Sequence, residues 1–491
     1  MSDPTASTGS NGSDESNGKA TLDLTVPVRV HVIGIGGAGM SAIASILAAM
    51  GHTVSGSDLK ASAGLERLRA QGVTVHVGHD AAHVGELDVV AVSTAVPDTN
   101  PEARAARARG IPVLRRADIL AAIAATRRTV AVSGTHGKTT TSSMLALVLA
   151  AAGMRPSFLV GGELNEIGSG AAWDTGEWFV VEADESDGTF TELAAEVAVV
   201  TNVEADHLDY YGDMEAIEAA FDRFLAAAPG PTVVCADDPV AARLGRAHGS
   251  LTYGTAEGAD VRILDPRSER AGASFTLSRH DEVLGEVRLP VPGLHNARNA
   301  TAAITAGLAL GAPFAVARDA LGRYAGVARR FQYRGEQAGI TVVDDYAHNP
   351  GKVRAVLAAA ASGGWRRVVA VFQPHRYSRT EDLAPEFGDA FEDADVLVLT
   401  DVYGAGEPPR PGVTGRLLVN SVLDHHPRSR VVWLPQRASI VPFLARELRA
   451  GDLCLTLGAG DITSLADDLL PVLGRRSEAD LARRRPEGAV P

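Results

Sequence analysis

Cysteine is nearly missing from this chain, with two in 491 residues, Cys235 and Cys454. Both fall in apolar, strand-like runs, which excludes a disulfide framework or a cysteine metal cluster and leaves buried packing in a reducing compartment. Long apolar runs are missing as well, none reaching the roughly twenty residues that a membrane-spanning helix needs. The opening stretch has neither the basic start nor the apolar centre of a secretory signal, and its Ser, Asn, Gly, Asp and Thr residues read as a disordered tail over 1–26. A basic surplus is also absent. Lys and Arg number 46 against 60 Asp and Glu, a net charge of -14, which argues against a nucleic-acid-binding surface. These absences leave a soluble, cytoplasmic protein as the expectation, with no nucleic-acid or membrane partner.

What is present is a 45% apolar content, enough for ordinary globular domains, and a length that calls for two to four of them. The stretch SGTHGKTTTSS, Ser133 to Ser143, organises the rest. It follows the apolar run Thr129 to Val132 and leads into an Ala- and Leu-rich segment ending at Gly153. Strand, glycine turn and helix in that order aim backbone NH groups and a helix N-terminus at phosphate. Within it Lys138 can reach phosphate oxygens, and the Thr139 hydroxyl suits magnesium. The standard phosphate loop sets its two glycines five apart, whereas Gly134 and Gly137 are three apart, so the pattern indicates a nucleoside triphosphate with a departure to explain.

Upstream, Val28 to Asp58 reads as strand, turn, helix, strand, with Gly34, Gly36 and Gly39 in G-x-G-x-x-G and Asp58 near the end of the second strand. That is the shape of a dinucleotide fingerprint, yet the same glycines serve any diphosphate, or simply close helix packing. Short strands at Val73 to Val77 and Asp88 to Val96 and a helix ending at Thr126 complete a small, mainly parallel α/β unit over 27–126.

A second unit, 127–328, starts at the phosphate loop. Two buried-type strands end in acidic clusters, Glu182, Asp184, Glu185 and Asp187, then Asn202, Glu204, Asp206, His207 and Asp209. Ligands of open parallel sheets bind beyond the carboxyl ends of the strands, so these clusters fit magnesium held by carboxylates and phosphate. Val261 to Val291 alternates in the manner of antiparallel strands. Asn296 and Asn299 open a helix, either as caps or as amides that read an adenine edge.

From Arg329 a third α/β series runs to 473, followed by a charged tail over 474–491. Its strand ends carry DDYAHNP, FQPHRYSRT, TDVYGAGE and GAGD. His375, Arg376 and Arg379 form either a solvated loop or a carboxylate or phosphate site.

Taken in order, HVIGIGGAGMSAIA, SGTHGKTTT, EADESD, TNVEADHLDYYG, GLHNARNA, RRFQ, DDYAHNP, FQPHRYSRT and TDVYGAGE resemble the Mur ligases from about Arg29 to Leu465. That family's own glycine loop accounts for the unusual spacing. The resemblance implies an α/β protein of three domains: a Rossmann-like N-terminal domain, a central ATPase domain of the phosphate-loop type with a mainly parallel sheet, and a Rossmann-like C-terminal domain. It further implies ATP-dependent joining of L-alanine to the carboxylate of UDP-N-acetylmuramate through an acyl phosphate, in peptidoglycan synthesis, by a monomer or weak homodimer.

By position, Gly134, Thr135, His136, Gly137, Lys138, Thr139 and Thr140 would form the ATP loop. Lys138 and Arg330 would hold phosphates, Asn296 and Asp345 adenine and ribose, and Thr139, Glu182 and His207 magnesium. Tyr346, His348, His375, Arg376 and Arg379 would surround the lactoyl carboxylate and alanine, with His348 as a proton acceptor. Gly34, Gly36, Gly37, Gly39 and Asp58 would take the UDP diphosphate, which removes the apparent nicotinamide signal. Some members carry a modified lysine that supports the metal; the stretch after His207 has none, so His207 and its acidic neighbours would fill that role.

Overall fold

The computed structural model describes residues 22–93, 96–165, 167, 169–269, 272–280 and 282–484. Most of the tail expected over 1–26, and the last residues of that expected over 474–491, lie outside them. The chain divides after Thr126 into two compact units.

The first unit is one sheet of five parallel strands, in the order Thr74–Val77, Thr53–Asp58, Arg29–Ile33, Val89–Val92, Val113–Arg115. Val30, Val32 and Val90 are fully buried, as expected of strands covered on both faces. The strand expected over Asp88 to Val96 is only Val89–Val92, and the three-residue strand Val113–Arg115 carried too short a pattern to be read.

The second unit holds two sheets. The larger has ten strands, and the one feeding the phosphate loop, Arg128–Ser133, lies between Val197–Val200 and Trp178–Glu182, parallel to both. After Arg128–Ser133 the chain goes to one side for Ser157–Leu164 and Trp178–Glu182, then returns to the other side for Val197–Val200. The loop therefore stands where the direction of winding reverses, the place at which open α/β sheets bind ligands. The strands Val261–Glu269, Gly272–Arg279 and Glu282–Leu289 form the expected antiparallel extension. Behind the loop, the helix Lys138–Ala151 packs on the helix Leu294–Ala309. Small residues allow this approach: a Cβ on Gly307 would stand 2.8 Å from Val148.

The smaller sheet runs Gln332–Gln337, Ile340–Asp345, Asp452–Leu457, Arg367–Phe372, Val396–Leu399, Val431–Trp433. Only the edge strand Gln332–Gln337 is antiparallel. It arises in a polar stretch that has no strand periodicity. The final helix, Leu465–Arg484, continues past residue 473, where the sequence reading ended the domain. Good helix formers such as Glu478, Ala479 and Leu481 account for the extension. Both cysteines are free and buried, and burial pushes the Cys454 thiol up to about 12.

Candidate active site

Gly137 ends the phosphate loop in the left-handed region, φ 83°, and caps the helix Lys138–Ala151. A Cβ there would stand 2.4 Å from Asn299 Oδ1, so both conformation and space demand glycine. The neighbouring strand end clamps the turn. Asn202 accepts from the His136 backbone NH at 2.8 Å, and the Thr201 hydroxyl donates to the His136 carbonyl at 2.6 Å. The Thr135 hydroxyl accepts from the Glu204 NH at 2.9 Å. Lys138 folds back onto the loop, with Nζ donating to the Gly134 carbonyl at 2.7 Å and to Glu185 at 2.8 Å. Burial pushes the Glu185 carboxyl up, and Lys138 opposes that rise.

Thr139 Oγ1 donates to Glu182 Oε1 at 3.1 Å, while Glu182 Oε2 accepts from the Gly161 NH at 2.6 Å. A hydroxyl and a carboxylate side by side are hard oxygen donors of the kind magnesium takes, one or two from protein and the rest from water and phosphate. The pair fits that ion. Among the described residues no group of three or more His, Cys, Asp or Glu is arranged for a metal. His207 stands apart from the pair, with Nε2 3.8 Å from Asp206 and 3.9 Å from Glu185.

Arg330 reaches the loop from far along the chain, Nη2 lying 3.3 Å from Thr139 Oγ1. Asp345 is buried, and its two oxygens accept from the NH groups of Phe331, at 2.7 Å, and Ala347, at 2.8 Å. A cavity of about 360 Å³ opens beside the loop, lined by Gly137, Thr140, Asn296, Asn299, Arg330 and Asp345 among others. Asn296 is buried and donates through Nδ2 to the Pro292 carbonyl at 2.7 Å, a local bond of the helix start. His295 also lines the cavity, and burial, then Arg298, push its pKa down to about 4.

A second group forms at the carboxyl ends of the smaller sheet. His348 and His375 have ring centres 5.9 Å apart, and those of Tyr346 and His348 are 5.1 Å apart. Arg379 Nη1 lies 3.2 Å from His375 Nδ1, and the Arg329 guanidinium stands 4.8 Å over the Tyr346 ring. Arg376 holds its place through its backbone NH, which donates to the Tyr403 carbonyl at 2.8 Å. Burial, then Arg379 and Arg376, push His375 down to about 4; burial, Lys352 and Arg379 push His348 well below its ordinary value. Because a carbonyl only accepts, the 2.8 Å contact of His348 Nδ1 with the Tyr346 oxygen makes Nδ1 the donor and leaves Nε2 of the neutral ring as a bare acceptor.

In the first unit, Asp58 accepts from the Gly36 NH at 2.9 Å, so it braces the glycine turn. Gly34 carries a positive φ of 77° there. Gly37 accepts from the Ser41 NH at 2.8 Å at the start of the helix Ala38–Ala49. A Cβ on Gly39 would meet Arg116 Nε at 2.9 Å. The sequence reading missed one cluster in this unit entirely. Glu102, fully buried, accepts from Ser57 Oγ at 2.5 Å and pairs with His79 at 3.0 Å, His83 at 2.6 Å and His31 at 3.6 Å. No motif marks it, because its members come from separate strands, loops and helices. Asp237, bonded to Arg298 at 2.6 Å beside the cavity, was missed for the same reason.

A reversed-winding sheet with a Gly-Lys-Thr loop, a hydroxyl and carboxylate pair beside it and a cluster of arginines and histidines at the carboxyl ends of the smaller sheet defines a nucleotide-dependent ligase, and the chain belongs to the Mur ligase family, whose members depend on ATP. It matches the Mur ligase catalytic domain over residues 29–128, the Mur ligase middle domain over 132–307 and the Mur ligase glutamate ligase domain over 329–460. It is 50% identical to a UDP-N-acetylmuramate--L-alanine ligase of Acidothermus cellulolyticus, over 91% of this chain and 95% of that one. Among solved structures it resembles the UDP-N-acetylmuramate-alanine ligase of Thermotoga maritima, with a TM-score of 0.76, 29% identity, and 92% and 100% of the two chains covered. It also resembles a murein peptide ligase from Psychrobacter arcticus, with a TM-score of 0.67, 25% identity, and 91% and 99% covered.

Proposed function

We propose that this protein joins L-alanine to the lactoyl carboxylate of UDP-N-acetylmuramate, using ATP and forming ADP and phosphate, in peptidoglycan synthesis. The observation that carries the reading is the approach of Arg330 to Thr139, which joins the phosphate loop to the start of the basic C-terminal group. The choice of substrates rests on the 50% identity to an alanine ligase along nearly the whole chain. In this reading 27–126 takes the UDP-sugar, 127–328 the ATP and 329–473 the amino acid, in the cytoplasm, where the two reduced cysteines also belong.

A carboxylate is a poor acylating agent. One of its oxygens attacks the γ-phosphorus, the β–γ bridging bond breaks, and ADP leaves with that electron pair. Lys138, released from Glu185, and Arg330 hold the phosphoryl oxygens while charge moves toward ADP. Thr139 and Glu182, with His207 and its acidic neighbours behind them, would hold magnesium, which would supply further neutralisation of phosphate charge. Tyr346, His375, Arg376 and Arg379 orient the lactoyl and alanine carboxylates. The alanine ammonium gives a proton to His348 Nε2, the amine attacks the acyl carbon, the acyl C–O bond breaks, and phosphate departs with that electron pair and takes the second proton from nitrogen.

Purified protein with ATP, magnesium and UDP-N-acetylmuramate should release phosphate on addition of L-alanine and form one amide. Release with a tripeptide and none with alanine would overturn the reading in favour of a peptide ligase. Release without any UDP-sugar would overturn both.

A further inference from the structure

Lys352 takes no part in the chemistry above, and no motif singles it out. It is the third residue of the helix Pro350–Ala361, whose first turn is set by Asn349: Oδ1 accepts from the Lys352 NH at 3.0 Å, and Nδ2 lies 3.4 Å from Asp206. That turn abuts the phosphate loop, since a Cβ on Gly351 would stand 3.4 Å from His136 Nε2. The Lys352 side chain lines the same cavity as His136, Gly137 and Arg330. Among the described residues its ammonium makes no ion pair or hydrogen bond.

A lysine on an exposed face needs no partner. One withdrawn from water beside other cations does, because desolvation and like charge both oppose the ammonium. Burial, then Lys138, push its pKa down to about 8, with Arg330 adding to the effect and Asp206 and Glu185 opposing it. Lys138 has Glu185 as a counter-ion; Lys352 has none in contact. The strain is relieved when a polyanion enters the cavity that Arg330 and Lys352 line, with Lys138 close by.

We propose that Lys352 is a third cation for the ATP triphosphate, presented by the first turn of its helix. This rests on the reading of the cavity as an ATP site and adds to it a binding residue from the C-terminal domain, so that the triphosphate ties that helix to the phosphate loop. Lys138 and Arg330 would grip the phosphate chain from the loop side and Lys352 from the opposite wall.

The test is calorimetric binding of a non-hydrolysable ATP with a β–γ imido bridge, and of AMP, to the full chain and to its Lys352→Met and Lys352→Arg variants, with magnesium present. Lys352→Met should weaken the triphosphate about ten- to a hundredfold, the span of a bond to a charged group, and leave AMP within about twofold. Lys352→Arg should recover most of the loss. Unchanged triphosphate affinity in Lys352→Met, or equal losses for AMP and the triphosphate, would overturn this inference alone. No triphosphate binding by the unsubstituted chain would overturn the ATP reading with it. Lys352→Arg, which keeps charge and stem, carries the same comparison if the methionine variant fails to fold: it should bind the triphosphate close to the unsubstituted chain, and a loss as great for AMP would count against the role.

Discussion

Two buried charge clusters in this protein are built in opposite ways. In the first unit the Glu102 carboxylate is enclosed by Ser57, His31, His79 and His83, with His76 stacked on His83 at 4.0 Å between ring centres. Burial alone would push its pKa up, but His31, Ser57 and His83 win and hold it at about 2. Beside the phosphate loop, Lys138, Arg330 and Lys352 lie near one another, and among the described residues only Lys138 of the three has a carboxylate in contact. A charge whose partners all belong to the chain does structural work. Cations gathered without enough counter-charge define a place for an anionic ligand, because the chain leaves their neutralisation to something else.

The sharpest way to break that comparison is Lys138→Met. Phosphate release should fall at least a hundredfold, roughly what removing one charged transition-state donor costs, while adding Glu185→Gln should restore stability and not activity. A variant that keeps more than about a tenth of the rate would mean that the loop cation is structural, as Glu102 is argued to be.

Next in size is Glu102→Ala, which leaves the Ser57 hydroxyl and the histidines without their acceptor. It should cost the first unit about 1–3 kcal/mol, read by hydrogen exchange over its strands, with binding of the non-hydrolysable triphosphate unchanged. No loss of protection there would make the cluster a bystander.

The smallest effect is in acid. His295 and His375 have folded values of about 4 against an ordinary 6.5, so the unfolded chain binds more protons between those limits, and stability falls as pH drops from 6.5 toward 4. For Glu102 the window is 4.5 down to about 2. All four tryptophans lie beyond Thr126, so their fluorescence in denaturant titrations should report the earlier loss. A flat denaturation midpoint between pH 6.5 and 4.5 would contradict it.

Much of this was legible in the residues. The strand, turn and helix around Lys138 are set by adjacent residues, and Gly137 is needed for its own φ, so the loop could be read directly. The acidic strand ends at Glu182 and Glu204 could be placed near it, because parallel strands share one carboxyl edge. Which of those acids would meet which loop residue could not be read, and the answer divides them: Glu182 with Thr139, Glu185 with Lys138, Glu204 with His136. Asp58 could be placed beside the glycine turn, but its bond to the Gly36 NH could not be read from spacing. The edge strand Gln332–Gln337 had no apolar alternation to reveal it, since its pairing with Ile340–Asp345 supplies the stability.

The sequence by itself determined the mixed α/β class, the phosphate loop and the order of its chemical motifs, because each depends on residues a few positions apart. Only the tertiary structure decided that Lys352 lines a cavity beside the phosphate loop, close to Lys138, and that three histidines pair with Glu102. Those meetings depend on the order of strands within each sheet, and strand order comes from the packing of whole layers, which no local stretch of sequence contains.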